Sequence, residues 1–165
     1  MKEDAFDLVL PTPLGRLGVH MAGERLRAIE YLGKDVLLKP GRSVATRRVA
    51  SLLENYFHDG RAALELPPLL LEGTPFQQRV WQALCVIPPG TTLTYGALAA
   101  RLGSGARAIG GACRENPIPI LVPCHRVVGK TGGGGYSGHT QGPMMARKYW
   151  LLAHEGAVEY LPVAL

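Results

Sequence analysis

The sequence Pro123-Cys124-His125-Arg126-Val127-Val128 follows directly on the apolar run from Ile118 to Val122. A thiol, an imidazole and a guanidinium group therefore stand on consecutive residues at the end of a hydrophobic segment. This pattern predicts a buried strand that delivers the Cys124 thiol to the wall of a pocket. The rest of the chain must then supply the groups that activate this thiol and the surface that brings a substrate to it.

The composition predicts a globular protein of the reducing cytoplasm. The chain has 165 residues, 47% of them hydrophobic, which suits one medium domain or two small ones with a buried core. No apolar stretch is long enough to cross a membrane, and several acidic residues near the N-terminus are unlike a signal peptide. The irregular spacing of the cysteines predicts neither a disulfide framework nor a structural zinc site, and we expect no metal: Cys85, Cys113 and Cys124.

The excess positive charge lies in one half of the chain. Residues 1–72 carry ten acidic and ten basic side chains, whereas residues 73–165 carry three acidic and eight basic ones. The basic half is also the half that contains Cys124. This asymmetry predicts a polyanionic partner, nucleic acid first, although charge alone leaves open a basic surface with no partner.

The first half is predicted to be a small antiparallel sheet followed by a helix. Alternating apolar residues between turn residues predict three strands, around 8–10, 17–19 and 26–32. Apolar residues at helical spacing predict an amphipathic helix over 43–57. Residues 62–66 are expected to return as a further strand. The segment 69–73 marks the boundary between a domain of residues 1–72 and a domain of residues 73–165.

The second half is predicted to be mostly helical. Thr74, Pro75 and Gln77 have the types and spacing of an N-cap, a first helical residue and a capping-box partner. Two further helices are predicted from Thr94 to about Leu102 and over 106–114, joined by a glycine-containing turn, which is the helix-turn-helix pattern. A last helix is expected over 143–154.

The helix over 106–114 is unusual because nearly all of its residues are small. Its long side chains are Arg107 and Arg114, while Gly110 and Gly111 each cost about 1 kcal/mol of helix stability relative to alanine. Such a sequence suits a helix that something bulky, such as a nucleic-acid backbone, must approach closely. Close packing against another helix is the alternative.

Cys124 differs from the other two cysteines, which are interpreted as small buried hydrophobic residues. His125 and Arg126 place positive charge beside Cys124, which predicts a lowered thiol pKa and a nucleophilic thiolate. An imidazole needs an orienting carboxylate, and Glu155 is the main candidate because this half has few acids. These residues predict a thiolate nucleophile but do not name its electrophile.

The segment 110–128 closely resembles the active-site signature of the O6-alkylguanine-DNA alkyltransferases. Other segments match that family in the same order: 76–81, 94–96, 136–138 and 151–156. The resemblance is strong over 74–156 and weaker over the N-terminal part. It implies an α/β (α+β) fold of two small domains. The first would be a ribonuclease-H-like antiparallel sheet with a helix, and the second a helix-turn-helix (winged-helix-like) alkyltransferase domain.

The resemblance implies direct-reversal DNA repair. O6-alkylguanine (O6-methylguanine, and O4-methylthymine as well) would be flipped out of duplex DNA, and its alkyl group would pass irreversibly to Cys124 by in-line displacement. Because the thioether is stable, the enzyme, a methylated-DNA–[protein]-cysteine S-methyltransferase, would act once. The implied partner is the minor groove of double-stranded DNA, bound by a monomer without cofactor or membrane. Cooperative binding along DNA stays open.

The resemblance also implies catalytic roles. His125 would be the base, acting through a bridging water and oriented by Glu155. Tyr95 would donate to guanine N3 as charge develops on the leaving base, and would help to rotate the nucleotide at its 3′ phosphate. Asn116 would brace the turn between the small-residue helix and the segment that carries Cys124.

Further residues would hold the base. The carbonyl groups of Cys124 and Val127 would accept from the guanine exocyclic amine, and the Ser137 N–H would donate to O6. Tyr136 would form a wall of the pocket, and Lys148 is assigned to the same pocket.

The DNA contacts are implied for one helix and its surroundings. Arg107 would be the finger that fills the vacated base stack. The remaining predicted DNA contacts are Tyr95, Ala106, Gly110, Gly111 and Arg114.

The chain departs from the family at the pocket rim. The segment 139–147 is several residues longer than in familiar members, and the loop before Tyr136 is slightly shorter, so the size of the preferred alkyl group stays open. Alternatives also remain for single residues. Arg114 and Lys148 could be solvated charges, Ser137 a plain turn residue, and His20, His58 and His139 surface histidines.

Two other functions are weighed. An alkyltransferase-like protein would bind and flag the lesion without transfer, but its close relatives usually lack the cysteine that this chain has at position 124. A cysteine hydrolase with a Cys-His-Glu site would leave the helix-turn-helix pattern, Arg107 and the charge asymmetry unexplained.

Overall fold

Strands β1 (Leu8–Thr12), β2 (Gly15–Ala22) and β3 (Arg25–Leu32) form an antiparallel sheet in that order. They belong to a computed structural model that describes residues 5–157. Two-residue turns at 13–14 and 23–24 join the strands, and Gly23 has a left-handed φ of 61° in the second turn. Leu17, Val19 and Leu26 are fully buried on the inner side of this sheet. The predicted antiparallel meander is confirmed.

Helix α1 (Val44–His58) packs against β1. The Ser43 side chain accepts from the Thr46 N–H at 3.0 Å, and the Thr46 hydroxyl accepts from the Ser43 N–H at 3.0 Å, so the first turn is capped from both sides. Val49, Leu53 and Tyr56 are buried along one face. The helix predicted over 43–57 is confirmed.

The strand predicted over 62–66 is wrong. Exposed and half-buried residues alternate there, but the segment pairs with no strand. Backbone pairing with the sheet occurs a few residues further on, at β3. There the Leu26 N–H donates to the Pro68 carbonyl and the Leu70 N–H donates to the Leu26 carbonyl, both at 2.8 Å. Because the two prolines at 67 and 68 lack N–H donors, a longer ladder cannot form at this point.

The chain divides into two compact units, Met1–Glu72 and Gly73–Leu165. In the second unit the predicted helices are confirmed in order: α2 (Pro75–Leu84), α3 (Tyr95–Leu102), α4 (Ala106–Arg114) and α5 (Pro143–His154). Two short strands, β4 (Leu93–Thr94) and β5 (Val127–Val128), pair in parallel. The mixed α/β class is confirmed, while the ribonuclease-H-like and winged-helix descriptions of the two units stay predictions.

The helices of the second unit are capped and packed as their sequences indicate. Thr74 and Gln77 form the expected capping box on α2, and the Thr94 hydroxyl accepts from the Ala97 N–H at the start of α3. The Trp81 indole N–H donates to the Ala112 carbonyl at 2.9 Å and so ties α2 to α4. No helix within residues 5–157 is long and apolar enough to span a bilayer.

The strand predicted over Ile118–Val122 is also wrong. These residues are buried, but they follow a series of turns in which Ile120 has a φ of 77°. The Asn116 side chain closes the series: it accepts from the Ile118 N–H at 3.0 Å and donates to the Val122 carbonyl at 2.8 Å. Prolines at 117, 119 and 123 remove the donors that a strand ladder needs, so an asparagine side chain replaces the ladder.

Candidate active site

A cavity of about 550 Å³ in the second unit has the Cys124 thiol in its wall. Tyr95 at the start of α3 and one face of α4 form two of its sides, and the segment from Gly135 to Thr140 forms another. The structure thus brings many predicted site residues to one cavity: Tyr95, Ala106, Arg107, Gly110, Gly111, Arg114, Cys124, Tyr136 and Ser137. The other predicted site residues do not line it: Asn116, His125, Val127, Lys148 and Glu155. A cavity of this volume suits a ligand of drug size.

Cys124 begins a short 3₁₀ turn (Cys124–Arg126) and is 5% exposed. Burial raises the pKa of its thiol, and the neighbouring Asn116 side chain and the charge of Lys148 offset this only in part. The prediction that His125 and Arg126 lower the pKa of Cys124 is therefore wrong. The turn directs both of those side chains to Glu155, so the resting thiol is protonated at neutral pH.

His125 and Glu155 form a fully buried pair, with 2.7 Å between Nε2 and Oε2. Burial lowers the pKa of His125, while the adjacent His125 and Arg126 hold the pKa of Glu155 at about 2 against the opposing effect of burial. An ionised carboxylate only accepts hydrogen bonds, so Nε2 carries the imidazole proton and Nδ1 keeps its lone pair. Within residues 5–157 this buried Nδ1 has no hydrogen-bond partner. The ring is therefore a neutral base with a free nitrogen.

Arg126 is directed away from the cavity. Its guanidinium donates from Nε to Glu155 Oε1 at 2.7 Å and from Nη2 to Glu155 Oε2 at 3.1 Å. A third bond runs from Nη1 to the Ile87 carbonyl at 2.5 Å. The sequence presented Arg126 only as a positive charge beside Cys124, and the structure makes it the partner of Glu155.

Lys148 is fully buried, so its interpretation as a solvated charge is wrong. Its ammonium donates to the Val127 carbonyl at 2.6 Å and to the Gly135 carbonyl at 2.7 Å, and lies 3.5 Å from the Tyr95 hydroxyl. Burial lowers the pKa of Lys148 to about 8, although Cys124 and Cys113 act in the opposite direction.

A tight turn forms the rim of the cavity. Tyr136 and His139 exchange backbone hydrogen bonds of 2.8 and 2.9 Å, and the two residues between them, Ser137 and Gly138, have φ of 49° and 83°. Left-handed φ at both central positions is typical of a type I′ turn. Ser137 is a turn residue and a cavity residue at the same time.

The small residues of α4 leave its cavity face open. A side chain at Gly110 or Gly111 would meet nothing within 4 Å, which rules against packing on another helix as the reason for these glycines. Ile109 and Ala112 are buried on the opposite face, and Arg107 is exposed on the open one. The open face therefore has room for something outside the chain.

Comparison with known proteins shows what the chain resembles. The family model for the DNA-binding domain of 6-O-methylguanine DNA methyltransferase matches residues 75–157. The methylated-DNA–protein-cysteine methyltransferase of Salmonella typhimurium is 42% identical, over 89% of this chain and 93% of the relative. The human protein of the same name is 39% identical, over 89% of this chain and 78% of the relative. This chain belongs to the methylated-DNA–protein-cysteine methyltransferase family.

A solved structure agrees with this assignment. The Mycobacterium tuberculosis OGT structure in complex with DNA has a TM-score of 0.75 and 35% identity, covering 94% of both chains. The family and the enzyme class predicted from the sequence, a methylated-DNA–[protein]-cysteine S-methyltransferase, are confirmed.

Five residues that sequence reasoning did not assign to the site also line the cavity: Cys113, Gly135, Gly138, His139 and Thr140. Cys113 lines the cavity as a second thiol, but burial raises its pKa to about 12, so it is a poor nucleophile. The sequence could have indicated this, because Cys113 lies three residues after Gly110 and so on the same side of α4. His139 and Thr140, in the segment that is longer than in familiar members, extend the rim and are exposed. Within residues 5–157 no group of histidine, cysteine or acidic side chains is arranged to hold a metal ion.

Proposed function

We propose that this enzyme repairs DNA directly, by moving the alkyl group of an O6-alkylguanine to the sulfur of Cys124. O6-methylguanine, and O4-methylthymine as well, would be its substrates. The observation that carries the proposal is a cysteine in the wall of a cavity, followed in the chain by a buried histidine whose Nδ1 has no hydrogen-bond partner within residues 5–157. We also propose that it works in the cytoplasm as a monomer.

The resting thiol is protonated, so transfer must begin with loss of its proton. The Nδ1 lone pair of His125 is the base, acting through a bridging water. The sulfur then attacks the saturated carbon of the substrate, the carbon–oxygen bond breaks, and its electron pair stays with guanine. The thiol proton ends on the guanine ring. Because the product is an unreactive thioether, each chain acts once.

The base would be held by residues that line the cavity, together with Lys148 and Val127, which do not line it. The Tyr95 hydroxyl accepts from Lys148 at 3.5 Å and from the Gly135 N–H at 3.3 Å, and donates to the Gly135 carbonyl at 3.4 Å. With a base bound, this hydroxyl would donate to guanine N3 instead. The carbonyls of Cys124 and Val127 accept from the exocyclic amine. The ring of Tyr136 forms a wall, and the Ser137 N–H donates to O6. Asn116 acts indirectly, since its two bonds fix the turns that lead to Cys124.

The partner would be double-stranded DNA, entered from the minor groove by α4. The thiol is buried, so a base can reach it only by leaving the stack, which costs a few kcal/mol and less for a weakened pair. Small residues at Ala106, Gly110 and Gly111 let the backbone come close, Arg107 fills the gap left by the base, and Arg114 adds a phosphate contact.

One experiment tests the whole proposal. The chain is incubated with duplex DNA that carries a labelled O6-methylguanine, and the label and the protein mass are followed. We expect one methyl group per chain, on Cys124, and intact guanine in the DNA. Cys124→Ser should remove transfer, while Cys113→Ser, the matched control in the same cavity, should keep it. Repeated turnover would indicate a hydrolase, and tight binding without transfer a lesion-flagging protein; either result contradicts the proposal.

A further inference from the structure

We propose that Arg126 is a positioning residue: by fixing Glu155 as an oriented anion, it keeps His125 in the one protonation state that can accept the thiol proton. This inference rests on the proposed function, because it assigns His125 as the base. It goes further by giving the guanidinium a role in the reaction although it does not face the cavity.

The first support is the geometry of the guanidinium. Its Nε and Nη2 face the two oxygens of Glu155 as a fork, at 2.7 and 3.1 Å, and its Nη1 is anchored on the Ile87 carbonyl. The side chain of Arg126 is 10% exposed and that of Glu155 fully buried. A planar fork with a third anchor fixes both the position and the rotation of the carboxylate, which a single ammonium cannot do.

The second support is how the carboxylate is shared. Oε2 of Glu155 accepts from Arg126 and also from His125 Nε2, whereas Oε1 accepts from Arg126 Nε. Both carboxylate oxygens therefore face N–H donors. A proton on either oxygen would point at one of these N–H groups, which disfavours the protonated carboxyl. The carboxylate stays ionised, and the imidazole is held as the tautomer with its proton on Nε2. The lone pair on Nδ1 follows from this arrangement.

The third support is the balance of charges around the imidazole. The groups that face His125 are Glu155 at the end of α5, Lys148 within α5, and Arg126 on the same 3₁₀ turn. Burial, Arg126 and Lys148 lower the pKa of His125, and Glu155 raises it. Without the positive charge of Arg126, less opposes the effect of Glu155 on the pKa of His125. That pKa would rise, and His125 would take up a proton at higher pH. A protonated imidazole cannot accept the thiol proton.

The test measures the rate of alkyl transfer from free O6-benzylguanine across pH, which removes DNA binding from the comparison. The rate should fall in acid as His125 takes up a proton. In Arg126→Met we expect this fall, the acid limb of the pH–rate profile, at a pH higher by about one unit or more. In Arg126→Lys, which keeps the charge but loses the fork, the rate should fall with a smaller movement of the limb. Arg101→Met removes an exposed arginine elsewhere in the same unit and should match the wild type.

The outcomes separate this inference from the proposed function. A wild-type chain that transfers no alkyl group would overturn the proposed function. The role of Arg126 alone would be overturned if the wild type transfers the alkyl group and the rate of Arg126→Met falls in acid at the same pH as the wild-type rate. Should Arg126→Met fail to fold, long-range proton–nitrogen NMR spectra of Arg126→Lys carry the test. We expect both neutral tautomers of His125 in that variant, and the Nε2–H tautomer alone would overturn the role.

Discussion

The ammonium of Lys148 donates to the carbonyl oxygen of Val127 at 2.6 Å, deep inside the second unit. The same ammonium binds the Gly135 carbonyl and approaches the Tyr95 hydroxyl. The Lys148 ammonium therefore links three segments: β5, the glycine-rich segment that contains Gly135, and the start of α3. Tyr95 and Gly135 line the cavity, so the shape of the cavity depends on Lys148.

Lys148→Met should lower both stability and activity. The methionine fills similar space but leaves the Val127 carbonyl without this donor and the Gly135 carbonyl with only the Tyr95 hydroxyl, at 3.4 Å. Each buried unsatisfied group costs about 1–3 kcal/mol. We expect a loss of about 2 kcal/mol or more in urea unfolding, and slower transfer from both duplex DNA and free O6-benzylguanine. Lys130→Met, at an exposed lysine, is the matched control. Wild-type stability in Lys148→Met would show that the two carbonyls find other partners.

The chain should lose stability in acid through the buried pair. The folded pKa of Glu155, about 2, lies below its usual 4.5, so its contribution is present above about pH 4.5 and is lost as the pH falls toward 2. The lowered pKa of His125 acts in the same direction, because the unfolded chain gains a proton first. Urea unfolding at a series of pH values measures the slope. Glu155→Gln should flatten it, and an unchanged slope in that variant would assign the effect to other groups.

Arg107→Ala should separate repair of duplex DNA from reaction with the free base. Arg107 is an exposed residue of α4 that lines the cavity. Its loss should slow repair of a duplex by at least tenfold and leave transfer from free O6-benzylguanine nearly unchanged. Single-turnover rates on the two substrates give the ratio. Equal losses on both would place Arg107 in the chemistry of the cavity and contradict its role as a finger.

Gly111→Leu should make the chain more stable and less able to repair duplex DNA. A Cβ at this exposed position has nothing within 4 Å, and leucine is a better helix former than glycine by roughly 0.5–1 kcal/mol. The new side chain would, however, stand between α4 and the DNA backbone. Thermal unfolding and duplex binding measure the two effects. Ala100→Leu, at an exposed position of α3, is the control, and unchanged binding by Gly111→Leu would mean that α4 does not face DNA.

Much of the local structure could be predicted because neighbouring residues decide it. Ser43, Thr74 and Thr94 each cap a helix through a hydrogen bond to a residue three positions later. The helix ends were equally predictable, as at Gly103, where φ is 64°. The strands predicted over 62–66 and 118–122 failed because a strand needs a partner: 62–66 has none, and the prolines in and around 118–122 lack the N–H donors of a ladder.

What the sequence by itself determined is which groups this protein has for its chemistry: a cysteine, a histidine beside it and a single glutamate suited to orient the ring. Only the tertiary structure decided the state of those groups. Burial leaves Cys124 protonated, Arg126 turns to Glu155 at a separation of 29 residues, and Lys148 is enclosed. The physical reason is that desolvation and charge pairing depend on atoms brought close by folding, and adjacency in the chain does not specify them.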